Sequence, residues 1–167
     1  DFFRACEEMA RDVQESIQPY AGVPEGGEIV RMGADLTPTK KIDQVAEDAV
    51  ICYLEKNALC RTLVSEEAGK IGFSCGSGTI FLDPVDGTFN AVAGIPFYAL
   101  SIAYAENGIM NKAFVRNLAT GETFTAEKGK SAFCNGKILH VSSVGSLDTC
   151  AVSVYGRKFD PTGVLHL

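Results

Sequence analysis

Two short apolar runs in this chain end in acid. Leu63-Val64 leads into Ser65-Glu66-Glu67, and Phe81-Leu82 leads into Asp83-Pro84-Val85-Asp86-Gly87-Thr88. If the runs are neighbouring strands, their ends coincide and three or four carboxylates meet beside a buried edge, where each ion loses several kcal/mol of hydration unless something compensates it. A cation is the simplest compensation. An all-oxygen set without nearby His or Cys selects a hard ion, and Mg²⁺, which accepts a few carboxylates plus waters and phosphate oxygens, fits better than zinc. Pro84 fixes the backbone direction between the aspartates, so the Val85 carbonyl can also face a metal. With no side chain at Gly87, a phosphate can approach the main chain, and the N–H groups of Gly87 and Thr88, at the start of a short helix through Asn90, would donate to it. The Thr88 hydroxyl is then placed to position a water.

Taken alone, the Asp-Pro-x-Asp-Gly-Thr hexapeptide is also turn-forming chemistry. Two other motifs fail by counting. A calcium-binding EF-hand loop opening at Asp83 needs a Glu at its twelfth position, which is Gly94 here. A haloacid-dehalogenase phosphatase has its two acids two apart, the first a covalent nucleophile, whereas Asp83 and Asp86 are three apart.

The elements that must position these residues are legible from periodicity. Phe2, Phe3, Cys6, Met9, Ala10, Val13, Ile17 and Tyr20 recur at helical spacing, with Arg4, Glu7, Glu8, Arg11 and Glu15 on the other face. Gly22, Pro24, Gly26 and Gly27 end that helix, and a loop to Pro38 follows, with a short strand around Ile29 to Met32. Ile42, Val45, Ala46, Ala49, Val50 and Tyr53 define a second helix, with Asn57 placed for a left-handed cap. Asp43 lies in its first turn, where the helix dipole favours a carboxylate. Strands are expected at Thr62 to Val64 and Thr79 to Leu82, joined by the Gly-rich stretch Gly69 to Gly78, and then at 97–105, 110–117, 122–126, 131–134, 138–141 and 149–155. Asn107-Gly108 and Asn135-Gly136 supply hairpin turns. Two helices followed by antiparallel strands imply an α+β layered sandwich, its helices packed on one face of a mostly antiparallel sheet.

Composition narrows the class. A chain of 167 residues, 46% apolar, can bury a core, and its net charge of −6, with both signs interspersed, offers no footprint for nucleic acid. No run reaches the roughly twenty apolar residues of a membrane span. The six cysteines lack zinc or disulfide spacing, which reads as reduced core cysteines and a cytoplasmic protein. His140 and His166 are read as non-catalytic, Lys128 and Lys130 as solvated with a phosphate-facing role as the alternative, and Arg116 as a candidate substrate contact across a subunit or strand end.

The ordered series Ser65-Glu66-Glu67, Asp83-Pro84-Val85-Asp86-Gly87-Thr88-Phe89-Asn90 and Pro96-Phe97 resembles the inositol monophosphatase family, including archaeal fructose-1,6-bisphosphatases. Thr37-Pro38-Thr39 to Asp43 and the stretch from Glu127 to Gly136 are similar to the corresponding family segments. The resemblance implies the amino-terminal lobe of an αβαβα sugar-phosphatase fold. It makes Glu66, Asp83, Asp86 and the Val85 carbonyl ligands of two or three Mg²⁺ ions, with Asp43 serving a weaker metal and its waters, Glu67 orienting water or ligand from behind, and Gly87 and Thr88 holding phosphate. Glu66, Thr88 and Asp43 would be the catalytic set. The reaction implied is hydrolysis of a sugar or inositol phosphomonoester, such as inositol-1-phosphate or fructose-1,6-bisphosphate, by metal-activated water, in a homodimer acting on a small molecule and not on nucleic acid or membrane. The family continues for roughly another hundred residues, a typical second-lobe length, and that lobe carries a Trp-Asp motif, yet this sequence has no tryptophan. Residues 1–167 are therefore expected to be one lobe of a longer chain. The alternatives are a catalytically incomplete metal-binding or dimerisation lobe, and a nucleotide phosphatase of the 3′-phosphoadenosine type.

Overall fold

The computed structural model describes residues 1–34 and 36–152. Helix α1 (Phe2–Ile17) begins at Asp1, whose carboxylate accepts the Phe3 N–H at 3.2 Å. Its apolar stripe, Cys6, Met9, Ala10, Val13 and Ile17, is buried. The helix closes at Ile17, three residues before the expected end, where the Tyr20 N–H bonds the Ile17 carbonyl, three residues back, and tightens the last turn out of the α pattern. A 3₁₀ turn (Pro24–Gly27) leads into a separate two-stranded sheet of β1 (Ile29–Met32) and β2 (Pro38–Lys40), and α2 (Lys41–Asn57) follows at once. The left-handed residue ending α2 is Ala58, not Asn57, whose side-chain amide instead donates to the Tyr53 carbonyl at 2.9 Å.

The main sheet contains β3 (Thr62–Ser65), β4 (Gly69–Gly72), β5 (Thr79–Asp86), β6 (Ala99–Glu106), β7 (Ile109–Asn117), β8 (Thr123–Glu127), β9 (Ala132–Cys134) and β10 (Lys137–Ile138), in the order β10-β9-β8-β7-β6-β5-β3-β4. All its pairs are antiparallel except β3 with β5. This is the expected α+β arrangement, with α1 and α2 against the sheet through a core that includes Met9, Val13, Ile42, Val50, Leu63, Ile80, Leu100 and Phe114. A short α3 (Thr88–Ala93) follows β5.

Several expectations are corrected. Gly69–Gly72, read as a connector, is a strand, because it folds back on β3 and pairing supplies the order that glycine does not. The strand expected at 138–141 stops at Ile138, and His140 lies beyond it, exposed. The strand expected at 149–155 does not form in its described part: Leu147–Thr149 is a 3₁₀ turn capped by Ser146, and residues 153–155, like His166, lie outside the described residues. Arg116 faces α1, where its guanidinium pairs with Glu7. Of the six free cysteines, only Cys6 and Cys60 are buried, and Cys52 and Cys75 are exposed. Among the described residues no helix is long and apolar enough to cross a membrane.

Candidate active site

The parallel register of β3 and β5 puts Ser65 opposite Leu82, so Glu66, just past the end of β3, comes beside Asp83, and the Glu66 N–H reaches the Leu82 carbonyl at 3.3 Å. The two runs are neighbouring strands as the sequence suggested, but their ends do not coincide: β5, expected to stop at Leu82, runs on to Asp86 because it keeps pairing with β6. Glu66, Glu67 and Ala68 form the tip of the β3–β4 hairpin, since Ser65 pairs with Gly69, and Gly69 takes the positive φ of 72° that closes so tight a turn.

Asp83 and Asp86 depend on a second device. On β6 their partners are Ser101 and Ala99, so three steps along β5 match two along β6, and one extra residue bulges at Pro84-Val85. In a regular strand residues three apart face opposite sides. The bulge cancels that inversion, and both aspartates line one cleft. Pro84, with no N–H to give the ladder, suits the bulge. Gly87 follows with φ 94°, and a Cβ there would lie 2.9 Å from the Phe97 carbonyl oxygen, so the position has no room for a side chain.

The cleft has a volume of about 760 Å³. Its acidic lining is Asp43, Glu66, Glu67, Asp83 and Asp86; Gly87 and Thr88 also line it, as do Ile29, Pro38 and Lys40 of the small sheet and Thr37 just before β2. The Thr88 hydroxyl stands 2.9 Å from Asp43 Oδ1 and 3.2 Å from the Val85 carbonyl. Asp43 Oδ2 also accepts the Lys40 N–H at 3.2 Å, so it caps α2 while facing the site. Buried Thr39 donates to Glu67 Oε2. All the residues expected to hold metal or phosphate are therefore brought to one cleft.

Electrostatics mark the same place. The Asp83 carboxyl is pushed up to about 7, first by burial, then by the like charges of Glu66 and Asp86 and by a hydrogen bond to Glu66. Asp43 is pushed up to about 6 by burial, against the opposing pull of the Thr88 hydroxyl and the Lys40 N–H. Among the described residues, no three Asp, Glu, His or Cys side chains gather closely enough to form a metal shell by themselves. The donor set here is carboxylates in pairs plus a main-chain carbonyl. With only oxygen ligands on its acidic wall and a carboxyl uncomfortable as an anion, the cleft fits a hard divalent ion that keeps waters in its shell.

One residue escaped the sequence reading. Glu47, one turn beyond Asp43 on α2, is fully buried, with Arg31 Nη2 2.7 Å from its Oε2 and the Ala68 N–H 2.9 Å from its Oε1, which also accepts from Ser65. An acid inside the stripe Ile42, Ala46, Val50 was the available signal.

The molecule is thus a layered α+β protein whose acidic, oxygen-lined cleft sits beside the parallel strands β3 and β5. Residues 3–160 match the sequence profile of the inositol monophosphatase family. The chain belongs to that family. A fructose-1,6-bisphosphatase/inositol-1-monophosphatase of Methanothermobacter thermautotrophicus is 41% identical, over 90% of this chain and 59% of the relative. A bifunctional NADP phosphatase/NAD kinase of Methanococcus maripaludis is 40% identical, over 94% of this chain and 31% of the relative. Among solved structures, an inositol monophosphatase-fructose 1,6-bisphosphatase superposes with a TM-score of 0.78 at 28% identity, over 87% of this chain and 56% of that one. An extragenic suppressor from Pyrococcus furiosus gives 0.76 at 29% identity, over 99% and 63%. The chain spans less than two thirds of the length of each of these proteins.

Proposed function

We propose that this chain is the metal- and phosphate-binding part of a magnesium-dependent phosphomonoesterase acting on a sugar or inositol phosphate. The observation that carries the reading is the meeting of Glu66, Asp83 and Asp86 in one cleft beside the paired Thr88 and Asp43. Glu66, Asp83, Asp86 and the second lone pair of the Val85 carbonyl would hold Mg²⁺, and Asp43 would serve a weaker ion through its waters. When bound, the metal supplies a water of lowered pKa and neutralises charge on the phosphoryl oxygens. The chain's own part is positional. A Thr88 hydroxyl that donates its one hydrogen bond to Asp43 has lone pairs free to accept a hydrogen bond from the attacking water. Glu66 would hold the same water from the other side, Glu67 would orient ligand or water from behind, and the Gly87 and Thr88 N–H groups would receive the phosphate. Such placement, in line and without a covalent enzyme intermediate, is where catalysis of phosphoryl transfer chiefly lies.

Substrate identity is read from the relatives. Their names include fructose-1,6-bisphosphatase/inositol-1-monophosphatase and NADP phosphatase. We therefore place a phosphorylated sugar or inositol first and a dinucleotide 2′-phosphate second, ahead of a 3′-phosphonucleotide; a cytoplasmic homodimer remains part of the proposal. A phosphate-release panel of inositol-1-phosphate, fructose-1,6-bisphosphate, NADP and 3′-phosphoadenosine-5′-phosphate, with and without Mg²⁺, ranks them in the protein at its natural length. Asp83→Asn is expected to abolish magnesium-dependent release while circular dichroism remains native. Turnover retained in that variant would exclude the site.

A further inference from the structure

The small β1–β2 sheet forms no ladder with the main sheet, yet it faces the cleft through Ile29, Pro38 and Lys40. Besides the Lys40 N–H given to Asp43 Oδ2 at 3.2 Å, three of its ties gather around one turn. The Ala34 N–H, in the turn between β1 and β2, donates to the Glu67 carbonyl at 3.0 Å, and Thr39 on β2 donates to the Glu67 carboxylate. Arg31 on β1 meets Glu47 Oε2 at 2.7 Å. The other oxygen of Glu47 accepts from the Ser65 hydroxyl and from the Ala68 N–H, and these two residues flank Glu66-Glu67 on either side. Glu47 itself does not line the cleft.

We propose that Glu47 is a positioning residue: its buried carboxylate clamps both ends of the turn carrying Glu66 and Glu67 and, through Arg31, locks the β1–β2 sheet to that turn. One oxygen sets the turn and the other sets the sheet. The metal ligand Glu66 and the cleft wall formed by β1–β2 are therefore held in register by a group that touches neither metal nor substrate.

The inference rests on the metal-site reading above, and its test separates the two. In the protein at its natural length, Mn²⁺ binding without substrate is followed by electron paramagnetic resonance, and exchange of the Ala34 amide by mass spectrometry, in wild type, Glu47→Ala, Glu47→Gln, Arg31→Met and Asp83→Asn. Removing the support of a metal ligand characteristically costs about 10- to 100-fold in metal affinity. Glu47→Ala is expected to lose that much Mn²⁺ affinity and to speed Ala34 exchange. Glu47→Gln, whose carbonyl still accepts from Ser65 and Ala68, is expected to recover most of the affinity, and Arg31→Met to speed exchange and raise KM with Mn²⁺ affinity unchanged. A folded Glu47→Ala with wild-type affinity and exchange overturns the proposal, as does a Glu47→Gln no better than a folded Glu47→Ala. If Glu47→Ala does not fold, Arg31→Met decides alone: unchanged exchange at Ala34 overturns the coupling, and faster exchange with unchanged Mn²⁺ affinity supports it. Failure of the metal site itself shows differently, as Mn²⁺ binding that Asp83→Asn leaves untouched.

Discussion

Thr88 carries the most specific chemical demand at the scale of single residues. Its hydroxyl lies 2.9 Å from a carboxylate and 3.2 Å from a carbonyl, and one proton cannot serve both. The carboxylate is the stronger acceptor, which orients the oxygen's lone pairs outward for a water. In the protein at its natural length, Thr88→Ala is expected to lower kcat by about 10²- to 10⁴-fold, the usual worth of positioned proton transfer, with KM changing far less. Thr88→Ser, which keeps the hydroxyl, is expected to retain much of kcat. Steady-state kinetics with inositol-1-phosphate or the best substrate of the panel measure both, and an alanine variant within a few-fold of wild type would remove Thr88 from the mechanism. The same paired geometry explains why Asp43 serves two purposes: one oxygen caps α2 at the Lys40 N–H while the other receives Thr88.

Between elements, the ties that set α1 on α2 include one with a defined pH response. The Tyr53 hydroxyl on α2 donates to Glu8 Oε2 on α1 at 2.6 Å, and this bond, followed by the one from Arg4, holds the Glu8 carboxyl below its ordinary range. A depressed carboxylate contributes stability above its unfolded pKa and loses it as pH falls through the folded value. Tyr53→Phe is therefore expected to melt below wild type at pH 7, with the gap narrowing toward pH 3. Calorimetry at the two pH values checks this, and a gap that widens on acidification would contradict it. The elements themselves were largely readable in advance. Helical and alternating periods located α1, α2 and most strands, and the acids closing two apolar runs located Glu66, Asp83 and Asp86. What escaped has physical causes. Gly69–Gly72 has no side chains with strand preference at its ends and gains order only from β3. The bulge at Pro84-Val85 exists only relative to β6, so no local pattern records it. Glu47 and Arg31 meet across sixteen residues, and the partner of a buried carboxylate is invisible until both groups are placed.

Taken whole, the molecule concentrates unfavourable charge where its function is proposed to lie. Glu66 and Asp86 both bear on Asp83, whose carboxyl is lifted to about 7 first by burial and then by these two like charges. Folding without a cation must bear that repulsion, whereas a bound divalent ion turns it into attraction, so metal affinity and stability are linked. At a Mg²⁺ concentration a hundred times the dissociation constant, linkage contributes about 2.7 kcal/mol, which for a chain of this size raises Tm by about 5 to 11 °C. Asp83→Asn removes one of the repelling charges together with one ligand. It is therefore expected to melt above wild type in EDTA and below it in saturating Mg²⁺, the two curves exchanging order as the ion is added. A merely structural aspartate gives a different pattern, since its loss would lower Tm by the same amount in both conditions. Differential scanning calorimetry of the two proteins across a Mg²⁺ titration distinguishes these patterns directly, and it does so without a substrate, so the outcome bears on the cleft as an ion site whichever phosphate ester it proves to cleave.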